Sequence, residues 1–293
     1  MTKPALILIH GRSQEGKNPV LLQEEWLTAL RVGLGSDAGR ILDDVEIRFP
    51  FYGDELDNWV HRTEESTPAD GRGTSDAGAI DRNYLAFQQE VAGEILARHG
   101  MHATAQEEAI GAAARGAGER SPEWVQGMLR MLDRVPGVTG LYIARIMRDV
   151  YLYLHHPAAR AAIDKIVTST LNGRCVIVAH SLGTVVAYRL LKASNGIDAP
   201  LLLTLGSPLG IGPVRAAVVP RKSPSAVARW VNAYDDRDDV ALYPLGQGRF
   251  PLEPKKPIDD IGGIDNRTAN HHGIVEYLNK SDIAGLIAAA LQA

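Results

Sequence analysis

Short, uninterrupted apolar runs bounded by glycine or polar turn residues recur along this chain at residues 5–9, 45–49, 175–179, 201–205 and 229–234. Such runs lack the alternation of a half-exposed strand and predict strands buried on both faces of a parallel sheet. Helical spacing separates them. Pro19 at a helix start leads into Val20-Leu21-Leu22-Gln23-Glu24-Glu25-Trp26-Leu27-Thr28-Ala29-Leu30, with Gly33 and Gly35 past its end. The pattern is βαβ with right-handed crossovers. It predicts an α/β fold in which a mostly parallel sheet is flanked by helices.

The strand pattern stops over residues 54–159, which read as a loop and a helical cap inserted into a single domain spanning residues 1–293. Residues 68–78 have the composition of a mobile loop, and no strand precedes them to make a phosphate cradle. A helix is predicted from the Ser121-Pro122-Glu123 cap signal, with Trp124, Met128, Met131 and Leu132 on one face. Packing of the insertion is the first reading of that face. An acyl-binding groove, of the kind adaptable methionines line, is the second.

At 293 residues one α/β domain suffices. A net charge of −4, with the 31 basic residues dispersed, argues against a nucleic-acid surface. The single cysteine, Cys175, forbids an internal disulfide and reads as a small core residue in a strand. Ala5-Leu6-Ile7-Leu8-Ile9 is too short for a signal-peptide core and leads into His10-Gly11-Arg12 rather than a cleavage site, and no run is long enough to span a membrane. A cytoplasmic protein without a transmembrane segment is expected; the oligomeric state is left open.

Candidate chemistry centres on Ala179-His180-Ser181-Leu182-Gly183. It follows the apolar Cys175-Val176-Ile177-Val178 and precedes the helix-like Thr184-Val185-Val186-Ala187-Tyr188-Arg189-Leu190-Leu191. A serine on a sharp turn between buried strand and helix is a nucleophile elbow, and the crowding there demands small residues two before and two after it. Ala179 and Gly183 comply. A serine hydroxyl is a weak nucleophile, so Ser181 needs a histidine to take its proton and a carboxylate to orient that histidine. Two other segments imitate sites. Ser207 also follows an apolar run, but Pro208 after it has no N–H to donate to an oxyanion, so Ser207 is read as shaping the loop. Residues 11–18 have P-loop spacing, but Asn18 stands where the magnesium-binding hydroxyl belongs and Glu15 would face the phosphates.

The elbow, the His10-Gly11-Arg12 turn, the acidic cluster Asp235, Asp236, Asp238 and Asp239, the late histidines and Gly206-Ser207-Pro208 come in an order that resembles the α/β-hydrolase superfamily, among its lipase- and esterase-like serine hydrolases. The resemblance implies the α/β-hydrolase fold and a triad in the order Ser, acid, His, which leaves His271 and His272 of the nine histidines. Asp238 is preferred as the acid because Asp238-Asp239-Val240 resembles the family's Asp-x-Val. His272, at the entry to the last helical run, is preferred as the base, with His271 as the alternative. The oxyanion donors implied are the backbone N–H groups of Leu182 and Arg12, while His10 and His180 are structural neighbours. No cofactor and no metal is implied. The expected activity is hydrolysis of a small-molecule carboxylic ester with an apolar acyl part. Thioesterase or amidase chemistry on the same triad is one alternative, and a non-catalytic ligand- or partner-binding member of the fold is the other. Nothing in residues 54–159 identifies the substrate.

Overall fold

The computed structural model describes residues 3–65, 75–101, 122–194 and 196–293. Its sheet has six strands: β1 (Ala5–Ile9), β2 (Ile47–Arg48), β3 (Gly173–His180), β4 (Ile197–Leu205), β5 (Val227–Ala233) and β6 (Asp259–Ile261). Their order is β2-β1-β3-β4-β5-β6, and every adjacent pair is parallel. The chain is thus an α/β protein with helices on both faces of a parallel sheet.

The unbroken apolar runs are explained by the two cores they feed. In β1, Ala5, Ile7 and Ile9 face one core while Leu6 and Leu8 face the other. In β3, Cys175, Ile177 and Ala179 divide from Val176 and Val178 in the same way. One core is closed by α1 (Pro19–Leu34), α2 (Ala38–Leu42) and the C-terminal helices α10 (Ile274–Leu278) and α11 (Ser281–Gln292). Proline at its start and Asn18 Oδ1, which accepts from the Val20 and Leu21 N–H groups, begin α1.

The opposite core is covered by helices from the segment between β2 and β3, namely α3 (Gly53–Glu65), α4 (Ser75–Arg98), α5 (Pro122–Leu132), α6 (Gly140–His155) and α7 (Pro157–Thr168). They are joined by α8 (Leu182–Leu191) and α9 (Gly212–Ala217). Helix α6 has Thr139 as its N-cap, accepting from the Tyr142 N–H.

Several expectations need correction. Of the predicted strand at residues 45–49 only Ile47–Arg48 pairs, and β6 is an edge strand that no apolar run announces. Of the loop expected at residues 68–78, residues 68–74 lie outside the described residues, and residues 75–78 open α4 instead. Ser121 also lies outside them, while the helix it was to cap begins at Pro122. Met128, Met131 and Leu132 are buried in the core with Trp124 packed against it, so this face of α5 packs the helices together. Among the described residues no helix is long and apolar enough to cross a membrane.

Candidate active site

Loops at the C-terminal ends of β1, β3 and β5 converge with the loop before α10. The chain leaves β3 through Ser181, whose φ of 55° and ψ of −127° no ordinary residue adopts without strain, at a cost of about 1–3 kcal/mol. The surroundings hold that backbone from both sides. Ser181 N–H donates to Leu205 O (3.0 Å), and Ser181 O accepts from Thr184 N–H (2.9 Å) and Thr184 Oγ1 (2.7 Å). The demand for small neighbours is visible in space. A Cβ on Gly183 would stand 2.4 Å from Ile9 O and 2.5 Å from His10 O, and one on Gly11 would stand 2.7 Å from Ser181 Cβ. The turn after β1 therefore lies directly on the serine.

Asp238 and His272 are brought together. His272 Nδ1 lies 2.7 Å from Asp238 Oδ2, with both side chains buried. A carboxylate only accepts, so Nδ1 carries a proton, and in the neutral imidazole Nε2 presents its lone pair. The carboxylate is fixed by three further donors, the N–H groups of Val240 (2.8 Å) and Ala241 (3.2 Å) on Oδ1 and Tyr277 Oη (3.2 Å) on Oδ2. Gly206, with φ 58°, lets the two approach. A Cβ there would meet the His272 ring at 3.0 Å and Asp238 Oδ2 at 3.2 Å.

Ser181 Oγ and His272 Nε2 are both buried polar atoms without a hydrogen-bond partner among the described residues. Ser181 is 1% exposed and His272 4%, so this conformation is closed to solvent. Buried polar atoms are normally paired. The two do not bond each other in this conformation, so both the hydroxyl and the base that proton transfer would join are left open.

The remaining acids and the second histidine are engaged elsewhere. Asp235 pairs with Arg237 (2.8 Å) and accepts from Asn266 N–H (2.8 Å). Asp236 is exposed, with only its backbone carbonyl accepting from Arg98 (2.6 Å), and Asp239 pairs with His99 Nε2 (2.8 Å). His271, with φ 53°, donates from Nδ1 to Asn266 O (2.9 Å) and stands 3.9 Å from Asp235. It is Asp235, not Asp238, that His271 faces. Ser207 Oγ is also occupied, bonding Thr184 Oγ1 (2.8 Å) and accepting from Leu209 N–H (3.3 Å).

His10 and His180 are buried and neutral. Burial lowers the His10 pKa to about 4, and burial together with neighbouring His272 drives His180 well down. His180 Nε2 donates to His272 O (2.7 Å), which steadies the backbone of the base. His10 Nε2 accepts from Tyr52 N–H (3.1 Å), so its proton is on Nδ1, which donates to Gly11 O (2.6 Å). The Tyr52 hydroxyl in turn donates to His10 O. Because a peptide unit is planar and trans, holding Gly11 O also restrains the direction of the Arg12 N–H on its far side. Neither that N–H nor the Leu182 N–H has a protein acceptor among the described residues.

The segment with P-loop spacing spends its amides internally. Gly16 N–H donates to Asp54 (2.7 Å), Lys17 N–H donates to Gln14 O (3.2 Å), and Asn18 caps α1. Among the described residues no cluster of three or more His, Cys, Asp or Glu side chains could hold a metal ion.

Sequence reasoning missed Tyr277 as a donor to Asp238, the approach that Gly206 permits, and Asp149 as the acid that the Arg12 side chain pairs with (Nε to Oδ2, 2.6 Å). Only Gly206 carried a signal, as the first residue of Gly206-Ser207-Pro208. Set against models of known protein families, characterised proteins and solved structures, the chain matches none.

Proposed function

We propose that this chain is a serine hydrolase of the α/β-hydrolase superfamily, with the segment between β2 and β3 as its cap, and that it cleaves carboxylic esters. The supporting observation is the buried Asp238–His272 pair, whose free Nε2 shares the site with an equally unpaired Ser181 Oγ.

On this reading Ser181 Oγ attacks the ester carbonyl as its proton passes to His272 Nε2, and the imidazolium that forms is stabilised by the Asp238 carboxylate. The N–H groups of Leu182 and Arg12 stabilise the tetrahedral oxyanion. His272 then returns the proton to the departing alkoxide, which leaves as an alcohol while the acyl group stays on Ser181. Water adds to the acyl-enzyme with His272 as base, and the acid is released with Ser181 regenerated. Turnover requires the closed site to open, since Ser181 Oγ is shut off from solvent.

The test is labelling with a fluorophosphonate probe, followed by p-nitrophenyl ester hydrolysis. Modification at Ser181 and turnover lost in Ser181→Ala are expected. A folded chain that is neither labelled nor active refutes the enzyme and leaves the non-catalytic binder. Esters from acetate to decanoate test the apolar acyl part, and matched thioesters and amides rank the three linkages.

A further inference from the structure

Helix α6 belongs to the segment between β2 and β3, yet it reaches the turn after β1. Asp149, 5% exposed at its side chain, holds Arg12 Nε at 2.6 Å, and the Arg12 side chain is itself only 13% exposed. The pair joins residues 137 positions apart in the chain. Tyr142, Ile146 and Asp149 share one face of α6, as their spacing of four and three requires. Burial pushes the Tyr142 phenol up.

The turn has few restraints of its own. Ser13 holds a φ of 56°, Gln14 Nε2 donates to Arg12 O (2.6 Å), and His10 Nδ1 donates to Gly11 O (2.6 Å). His10 thus holds the Gly11–Arg12 peptide at its carbonyl end. The Arg12 N–H lies in that same plane, whose other end is Arg12 Cα, and the Arg12 side chain held by Asp149 restrains that end. A charge-assisted bond between two buried groups is short, directional and costly to break unilaterally.

We infer that Asp149 is a positioning residue for the oxyanion turn, anchoring the Arg12 side chain so that the Arg12 N–H stays aimed at the carbonyl over Ser181. This rests on the hydrolase reading above, with Arg12 as the second oxyanion donor. It gives α6 a catalytic consequence although no atom of Asp149 touches substrate. Misplacing a preorganised donor by about an ångström costs about 100-fold in rate.

Asp149→Asn and the paired variant R12M/D149L separate positioning from mere stability. In Asp149→Asn, kcat on p-nitrophenyl acetate is expected to fall about 100-fold with KM within about threefold, and affinity for an alkyl boronic acid, which mimics the tetrahedral adduct, to fall in parallel. R12M/D149L replaces the Arg12–Asp149 pair with apolar groups of similar size, a change often neutral or stabilising, while Arg148, 3.6 Å from Asp149 and about a third exposed, keeps access to water. It should regain thermal stability while kcat stays low, and it carries the test alone if Asp149→Asn does not fold. Full kcat in Asp149→Asn, or kcat restored along with stability in the paired variant, overturns the inference while leaving the hydrolase reading intact. A wild-type chain with no Ser181-dependent turnover overturns both.

Discussion

The sharpest prediction concerns Asp238→Asn. All four hydrogen bonds to this carboxylate come from donors, namely His272 Nδ1, Tyr277 Oη and the N–H groups of Val240 and Ala241. An amide offers one acceptor and one donor, so whichever way it turns its NH2 faces donors. Pointed at Val240 and Ala241, it meets two N–H groups that cannot rotate away. Pointed at His272, it forces the ring to accept at Nδ1 and carry its proton on Nε2, where it can no longer take one from Ser181. The second arrangement is the cheaper, because imidazole can change tautomer and Tyr277 Oη can rotate its hydrogen. The triad is then intact in shape but protonated on the wrong nitrogen, for which a loss of about 10⁴ in kcat is expected, or about 5.5 kcal/mol of transition-state stabilisation. Asp235→Asn is the matched control, since Asp235 is occupied by Arg237 and Asn266. Its kcat should stay within about tenfold of wild type. Steady-state hydrolysis of p-nitrophenyl acetate, with circular dichroism to verify folding, reads both. A folded Asp238→Asn variant retaining a tenth of wild-type kcat refutes the tautomer argument, and a reversed ranking transfers the role of acid to Asp235.

His272→Ala should abolish turnover on the same assay while His271→Ala leaves it within about threefold; equal activity in both would mean that neither is the base. Gly183→Ala would drive a methyl into Ile9 O and His10 O at 2.4 and 2.5 Å. Both are sheet-end carbonyls with little room to yield, so a stability loss of about 3 kcal/mol is expected in urea unfolding, and a change below about 1 kcal/mol would refute the crowding argument. His10 has its folded pKa lowered from 6.5 to about 4, so below pH 6.5 the unfolded chain binds a proton the folded one refuses. Its contribution to stability is intact above that pH and is lost as pH falls toward 4, amounting to about 3 kcal/mol over the interval. Urea titrations from pH 7 to 4 should show a shallower decline in His10→Gln, and an unchanged slope would contradict it.

What could be read from the chain followed the range of the forces involved. The β1 and β3 runs are legible because every residue on both faces must be apolar, and the elbow because steric crowding acts within a few residues of Ser181. Edge strand β6 was invisible because Asp259-Asp260-Ile261 has no apolar run: Asp260 serves the loops, accepting from the Leu245 and Gly246 N–H groups. Residues 75–78 were read as loop on turn-forming composition, but α4 gains its stability from residues such as Val91, Ile95 and Leu96, buried far downstream. That His272 meets Asp238 while His271, at a positive φ, meets Asn266 O is a difference of backbone conformation that no neighbouring residue type dictates. The Arg12–Asp149 pair leaves no local trace either, since two charged residues 137 positions apart look like any solvated pair until the fold buries them.

The sheet order has a consequence for how such a site comes to exist. From β1 the chain turns into α1 on one face, whereas from the neighbouring β3 it turns into α8 on the other. Loops that leave adjacent parallel strands toward opposite faces diverge at the end of the sheet, the place where winding alone brings a ligand site about. Gly11 and Ser181 stand on the two diverging loops and touch at their base. Their meeting is thus a property of topology, set by which way two helices leave and indifferent to the more than one hundred residues inserted between them.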